Sequence, residues 1–189
     1  MTIPILATLV RALMVIVEYP YVRRNKIKPA GTARDWDKHS AQLWDVANAV
    51  ELVGMVLGFT NIGRIHTGSY FIALLGLAFL CLGITIRWTA IFALGKFFTG
   101  TVLIKDDHRL IQNGLYKYVR HPAYAGALIA HLGLGLSFSN WLSIGLSTVP
   151  FSLAALYRMH VEERALRDAF GKTYIQYSAG TKRLVPKLY

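Results

Sequence analysis

The sequence predicts an all-α integral membrane domain. It has about five transmembrane helices, the N-terminus outside, and a polar segment and an amphipathic C-terminal helix on the cytoplasmic face. Three observations carry that reading. First, 54% of the 189 residues are hydrophobic and only 16% are charged, too apolar for an ordinary soluble domain. Several runs approach the roughly 20 residues that cross a hydrocarbon core of about 30 Å. Second, the basic residues fall between the apolar runs, and mostly between alternate ones. Third, Tyr116, Tyr118, Arg120, His121 and Tyr124 crowd together directly ahead of one run. Polar groups at such a border are costly unless satisfied or used.

The first run is Ile3 to Val22. Arg11 and Glu18 interrupt it seven residues apart, on one helical face that points toward protein or the interface rather than lipid. The start MTIPILATLV has no basic n-region and no small-residue cleavage site, so it reads as a retained helix. Residues 23–39 combine Pro29, Gly31 and charges and read as a surface loop. The second run, Ala41 to Ile62, carries Asp45 and Glu51 and closes at Asn61-Ile62-Gly63. The third runs from Ser69 to Leu94 and emerges with Arg87 near one end. Its Gly76 and Gly83 share a face on which a neighbouring helix can approach closely. Gly95 suits its C-terminal stop.

Residues 96–120 are mixed and read as a partly ordered segment, with Asp106-Asp107 as a turn or helix start and Asn113-Gly114 as a turn. Pro122 suits the first turn of a fourth span, 122–138, where its missing N–H costs nothing. Ser139-Asn140 leads at once into a fifth, 141–159, so the two form an antiparallel hairpin, with Pro150 a kink point. From His160, which reads as a cap at the helix end, VEERALRDAF is amphipathic, with Val161, Ala165, Leu166 and Ala169-Phe170 on one side, until Gly171 breaks it. The whole chain reads as one domain. The single cysteine, Cys81, excludes an internal disulfide and reads as a small packing residue.

The formal charge is +11. Six Lys and Arg follow span one, five follow span three, and seven lie from Arg158 onward, against Arg64 alone on the opposite side. Three segments of one sign put the N-terminus out and the tail in, and favour an anionic leaflet over nucleic acid as partner. No histidine and carboxylate set shows metal-ligand spacing. His131, mid-span, reads as a packed core histidine or as part of a cavity.

This topology gathers the 96–120 segment, the start of span four and the end of span five on one membrane face. From spacing alone the residues there admit a plain reading. Arg158–Glu162 and Glu163–Arg167 are then helix ion pairs worth a few tenths of a kcal/mol, Lys117 and Arg120 anchor to lipid phosphate, and the tyrosines form an interface belt.

The joint order is more specific. G-x-Y-x-x-x-R-H-P-x-Y-x-G at 114–126 is preceded by D-H-R-L at 107–110 and followed by an apolar hairpin. R-x-x-x-E-E comes at 158–163, F-G-x-x-Y-x-x-Y at 170–177 and R-L-x-P at 183–186. This set resembles the isoprenylcysteine carboxyl methyltransferase family, to which the phospholipid N-methyltransferases are related. It covers roughly half the chain, and the size resembles the short prokaryotic members. The resemblance implies a membrane methyltransferase that uses S-adenosylmethionine without a soluble Rossmann domain. It implies that His108, Arg109, Leu110, Ile111, Tyr116, His121, Pro122, Ala123, Tyr124 and Glu162 bind the cofactor. Arg109, Ile111 and Ala123 would contribute backbone. Arg158 falls where the family places a substrate-contacting arginine, so Arg158 and Glu162 are the expected catalytic pair.

The residue types suit that chemistry. Glu162 can pair with the cofactor's ammonium, and Tyr116 and Tyr124 can flank adenine or approach a cation. Arg158 can orient a carboxylate by a bidentate contact. The acceptor is expected to be lipophilic, a prenylcysteine-like or isoprenoid acid, reaching the site from the membrane, which is the plasma or inner membrane if the chain is prokaryotic. Residues 101–105 match the family poorly, and no role is assigned there. Two further classes stay open: an NADPH-dependent lipid or sterol reductase, with Arg109 or Lys117 for the 2′-phosphate, and a non-enzymatic membrane scaffold. A phospholipid N-methyltransferase is a third variant, close to the main reading.

Overall fold

The structure is a computed structural model that describes residues 2–24, 39–100, 102, 104 and 108–186. The expected surface loop after the first helix (25–38) and the Asp106-Asp107 turn lie outside the described residues. The described residues form α1 (Thr2–Arg24), α2 (Ser40–Gly58), α3 (Ser69–Leu94), α4 (Pro122–Ser137), α5 (Trp141–Phe170) and α6 (Lys172–Gly180). Short 3₁₀ turns occupy Gly95–Phe97 and Gly114–Lys117. Two helical stretches, Thr2–Pro20 and Ser69–Phe97, are by length and composition apolar enough to cross a membrane.

Local signals explain most boundaries. Gly95 ends α3 in a positive-φ conformation (53°), and Pro122 opens α4 at its first turn. Asn140 caps α5, its side chain accepting from the backbone N–H of Leu142 (2.9 Å) and Ser143 (3.2 Å). The same amide donates to Ile62 O at 2.7 Å, and Trp141 N donates to Gly63 O at 2.9 Å. The α4–α5 turn is thereby tied to the α2–α3 loop at one end of the bundle.

Close backbone approach sets the packing of α3 on α4. An added Cβ at Gly83 would sit 2.3 Å from Ala130 N, and one at Gly76 2.3 Å from Ser137 N. Only glycine fits either place. On the other side α2 lies along α5, with Trp44 edge-on to Phe151 at 4.5 Å between ring centres. The apolar core divides accordingly. Ala7, Met55, Leu80, Ala130, Leu134 and Phe138 fill the α4–α5 turn end, and Ala47, Ala127, Phe151, Ala154 and Ala155 fill the middle.

Charges inside the bundle are paired. Arg11 of α1 donates to Glu51 (2.8 Å) and Asn48 (2.8 Å) of α2. The far oxygen of Glu51 meets His131 Nδ1 at 2.5 Å, and the His131 ring stacks on Phe151 at 3.4 Å. His131 is therefore a core residue, not a cavity residue. Breaking such a buried set by removing one partner leaves an uncompensated charge, which is strongly destabilising.

Several expectations need correction. The second helix ends at Gly58 rather than at residue 62. Thr60 turns the chain there, its Oγ1 donating back to Leu57 O. The fifth helix does not stop at 159. It runs unbroken to Phe170, so His160 is an exposed mid-helix residue and caps nothing. The amphipathic stretch is the continuation of α5, and among the described residues only α6 follows as a separate helix. Arg87 does not emerge from α3. It is 6% exposed and ion-paired to Glu18 of α1. Cys81 is exposed on the outer face of α3, not packed.

Candidate functional site

A cavity of about 610 Å³ lies where α1, α2, α3, α4 and α5 converge with residues 97–100, 102, 104 and 108–111. That size falls in the range of small-molecule sites, roughly 300–1,000 Å³. Of the expected site residues, His108, Arg109, Leu110, Ile111, Tyr116, His121, Ala123, Tyr124, Arg158 and Glu162 all line it. Pro122 does not. It is fully buried in the first turn of α4 and shapes the site by setting that turn. Asp107 lies outside the described residues.

One polar chain crosses the wall. Arg158 Nε donates to Tyr124 Oη at 3.1 Å, and Tyr124 Oη donates to Glu162 Oε2 at 2.8 Å. A tyrosine hydroxyl thus joins arginine and carboxylate in series. Arg158 is further fixed by Gly100 O (2.5 Å) and Ser40 Oγ (3.4 Å), and its guanidinium lies 5.8 Å from the Trp44 ring centre. An arginine held on three sides is a preorganised anion donor with little rotamer freedom left to lose.

The two consecutive glutamates point different ways, as neighbours on a helix must. Glu162 faces the cavity. Glu163 is turned inward and collects Arg120 (3.0 Å), His121 (3.2 Å) and Arg183 (2.7 Å). The expected Glu163–Arg167 pair is therefore replaced by a long-range cluster, and Arg167 is exposed. Burial by itself would raise the Glu163 pKa. Hydrogen bonds from His121 and Arg183 and the nearby positive charges outweigh it and hold the carboxyl far below the usual range.

This cluster explains the R-H-P and R-L-x-P signatures together. Arg120 N donates to Lys182 O (2.7 Å) and His121 N to Arg183 O (3.0 Å), so the tail lies beside residues 119–121 in a short parallel pairing. Arg120 also donates to Ser178 O at 3.0 Å and to Thr181 O. His121 bonds Glu163, while its ring meets the same cavity as Glu162, 5.6 Å from Tyr124.

Aromatic residues from α6 close one side of the cavity. Tyr174 is 1% exposed, and Tyr177 Oη donates to Tyr116 O at 2.7 Å. Burial pushes the Tyr177 hydroxyl up to about 12. Burial first, and then the Glu162 charge, push Tyr116 up as well. Both stay neutral at physiological pH. The His108 ring stands 5.0 Å from Phe97 and 5.7 Å from Phe170.

Sequence reasoning missed one whole side of the cavity: Glu18 of α1, Ala41, Trp44 and Asp45 of α2, and Arg87 of α3. A charged residue inside each apolar run was the available signal for Glu18, Asp45 and Arg87. Nothing marked Trp44. Val102 and Ile104, in the stretch given no role, and the adjacent Gly100 also form wall.

The donor set fits a sulfonium nucleoside carrying an amino acid. It offers a carboxylate for an ammonium, fixed guanidinium groups for a carboxylate, aromatic faces for a base, and an apolar remainder.

Comparison with known proteins gives one consistent answer. The model for the isoprenylcysteine carboxyl methyltransferase (ICMT) family matches residues 74–168. A probable protein-S-isoprenylcysteine O-methyltransferase of Oryza sativa subsp. indica is 36% identical over 115 residues, 58% of each chain. Protein-S-isoprenylcysteine O-methyltransferase B of Arabidopsis thaliana is 33% identical over 152 residues, 79% of this chain and 74% of its own. The solved structure of the eukaryotic intramembrane Ras methyltransferase ICMT superposes with a TM-score of 0.62 at 26% identity, over 80% of this chain and 54% of that one. The chain spans 58% of the rice relative's length. Among the described residues the helical arrangement is similar to that of this solved intramembrane methyltransferase. The reductase and scaffold readings, and the phospholipid N-methyltransferase variant, find no support in these likenesses.

Proposed function

This chain belongs to the isoprenylcysteine carboxyl methyltransferase family, and on that premise we propose that it methylates the carboxylate of a lipophilic, prenylcysteine-like acceptor, using S-adenosylmethionine. The observation that carries the proposal is the Arg158–Tyr124–Glu162 chain in the wall of a 610 Å³ cavity.

Bound there, S-adenosylmethionine supplies an electrophilic methyl group whose C–S bond breaks as a carboxylate oxygen forms the new C–O bond, leaving a thioether and a methyl ester. The protein's part is alignment rather than proton transfer, because the attacking carboxylate is already ionised at neutral pH. Glu162 pairs with the ammonium, and Tyr124 holds Glu162 in place by its hydroxyl. Tyr116, His121 and the backbone of 108–111 enclose the nucleoside. Arg158 would hold the acceptor carboxylate beside the bound cofactor. The apolar wall from Val102, Ile104 and Leu166 excludes water, which strengthens each charge contact inside.

The same proposal covers topology. Five helices span the bilayer, the N-terminus is outside, and the cavity opens at the cytoplasmic face. A multi-pass arrangement lets the lipid part of the acceptor stay among the helices while its head meets the cofactor.

The decisive experiment is methyl transfer from labelled S-adenosylmethionine to a membrane lipid extract and to S-farnesylcysteine compounds, with purified full-length protein. Base-labile methyl ester on a prenylated acid is the expected product. A label that survives mild base, as on an amine, overturns the carboxylate assignment.

A further inference from the structure

The F-G-x-x-Y-x-x-Y pattern at 170–177 fixes four residues, and three of them have a visible task in the fold. The Phe170 ring meets His108 at 5.7 Å. Gly171, at φ 50°, ends α5 and turns the chain into α6, its N–H donating to Arg167 O at 2.9 Å. Tyr177 Oη latches α6 to Tyr116 O at 2.7 Å. Tyr174 has no such bond. It lines the cavity, it is 1% exposed, and its buried hydroxyl finds no hydrogen-bond partner among the described residues.

A buried hydroxyl left unsatisfied destabilises the fold that contains it. Phenylalanine would fill the same space without that penalty, so tyrosine here needs a reason outside the fold. The hydroxyl is also held ready. α6 is fixed through Tyr177, and through Ser178 O and Thr181 O, which both accept from Arg120. The Tyr174 and Tyr177 rings meet edge-on at 6.2 Å.

The charges nearby narrow what the hydroxyl can meet. Burial, and then the Glu163 charge, push its pKa up; Glu162 adds to the rise and Arg120 opposes it. The group is therefore a neutral donor at physiological pH. Two carboxylates bearing on one hydroxyl make its corner a poor place for another anion, whether the acceptor's carboxylate or that of the cofactor's amino acid. A prenyl chain has no atom to accept the bond. The ring nitrogens and ribose oxygens of a nucleoside are neutral acceptors. The adjoining wall agrees, for Tyr177 holds Tyr116, and Phe170, one turn before Tyr174, meets His108.

We propose that the Tyr174 hydroxyl is a binding group for the nucleoside of the methyl donor, donating a hydrogen bond to one of its neutral acceptor atoms. This rests on the methyltransferase reading and extends its cofactor site to α6.

The test compares wild type, Tyr174→Phe and Tyr177→Phe, each as the purified full chain in detergent. Two probes are titrated: S-adenosylhomocysteine, and 5′-methylthioadenosine, which keeps the nucleoside and lacks the amino acid. Tyr174→Phe is expected to weaken both by the same factor, about three- to tenfold, the range of one neutral hydrogen bond. Without ligand it is expected to melt at or above the wild-type temperature, because it removes an unsatisfied group and keeps the ring. Tyr177→Phe breaks a bond that the fold does make and is expected to melt lower. Unchanged affinity of Tyr174→Phe for either probe overturns the inference, whatever its melting temperature. A drop in melting temperature as large as that of Tyr177→Phe assigns the hydroxyl to the fold and overturns it too. So does a wild-type protein that binds S-adenosylhomocysteine but not 5′-methylthioadenosine, and in each of these cases the methyltransferase reading stands. A wild-type protein that does not bind S-adenosylhomocysteine removes both.

Discussion

Glu162 and Glu163 are adjacent in the chain and have unrelated tasks. Glu162 touches the cavity and the Tyr124 hydroxyl. Glu162→Ala is expected to weaken S-adenosylmethionine binding by about 10²-fold, since a charge-assisted contact is worth about 1.5–3 kcal/mol. Isothermal titration checks this. Glu163 lies outside the cavity lining and ties α5 to the 119–121 segment and the tail. Glu163→Ala leaves two arginines and a histidine without their counter-ion, and is expected to lower the melting temperature before it alters chemistry. Its depressed pKa also sets a direction with pH. The folded chain binds this proton less readily than the unfolded chain, so the contribution to stability is full above the ordinary glutamate range near 4.3. It fades as pH falls through that range toward the depressed value. Melting curves from pH 7 to pH 3 are expected to show that loss in the wild type and less of it in Glu163→Gln. The E-E doublet was legible in the sequence as a motif. Which of the two faced inward was not, because the partner Arg183 comes from the tail, 20 residues on.

At the scale of elements, glycine spacing and capping residues were informative because they act locally. Gly76 and Gly83 mark the α3 face that meets α4, and both backbones are already in contact there. Gly83→Val is expected to force the helices apart at a cost of about 1–3 kcal/mol or more, read as a lower melting temperature in detergent. The ends of α2 and α5 were less legible. Apolar composition continues past Gly58, yet the chain turns because Thr60 and Asn140 capture the carbonyls there. Polar composition begins at His160, yet α5 continues, because Val161 and Ala165 pack with Val102 and give that stretch its own small core. Hydropathy marks where a helix leaves lipid, and packing marks where it stops.

For the whole molecule, the uneven distribution of cations makes the orientation testable. In a Cys81→Ala background, Ile62→Cys is expected to react with an impermeant maleimide from outside intact cells, and Lys172→Cys only after lysis. The opposite pattern would invert the proposed topology. What the sequence determined by itself was set by neighbours in the chain: the apolar runs, the Gly95 and Pro122 helix boundaries, the spacing of tyrosines and charges, and through them the family. What only the tertiary structure decided was pairing across elements. Arg11 with Glu51, Arg87 with Glu18, and Arg120 and Arg183 with Glu163 are separated by 40, 69, 43 and 20 residues. A charge in an apolar run must find an opposite one, and the cost of desolvation guarantees that it does. The sequence alone does not say which, because that choice depends on helix rotation and crossing, and those are fixed only when all the helices pack at once.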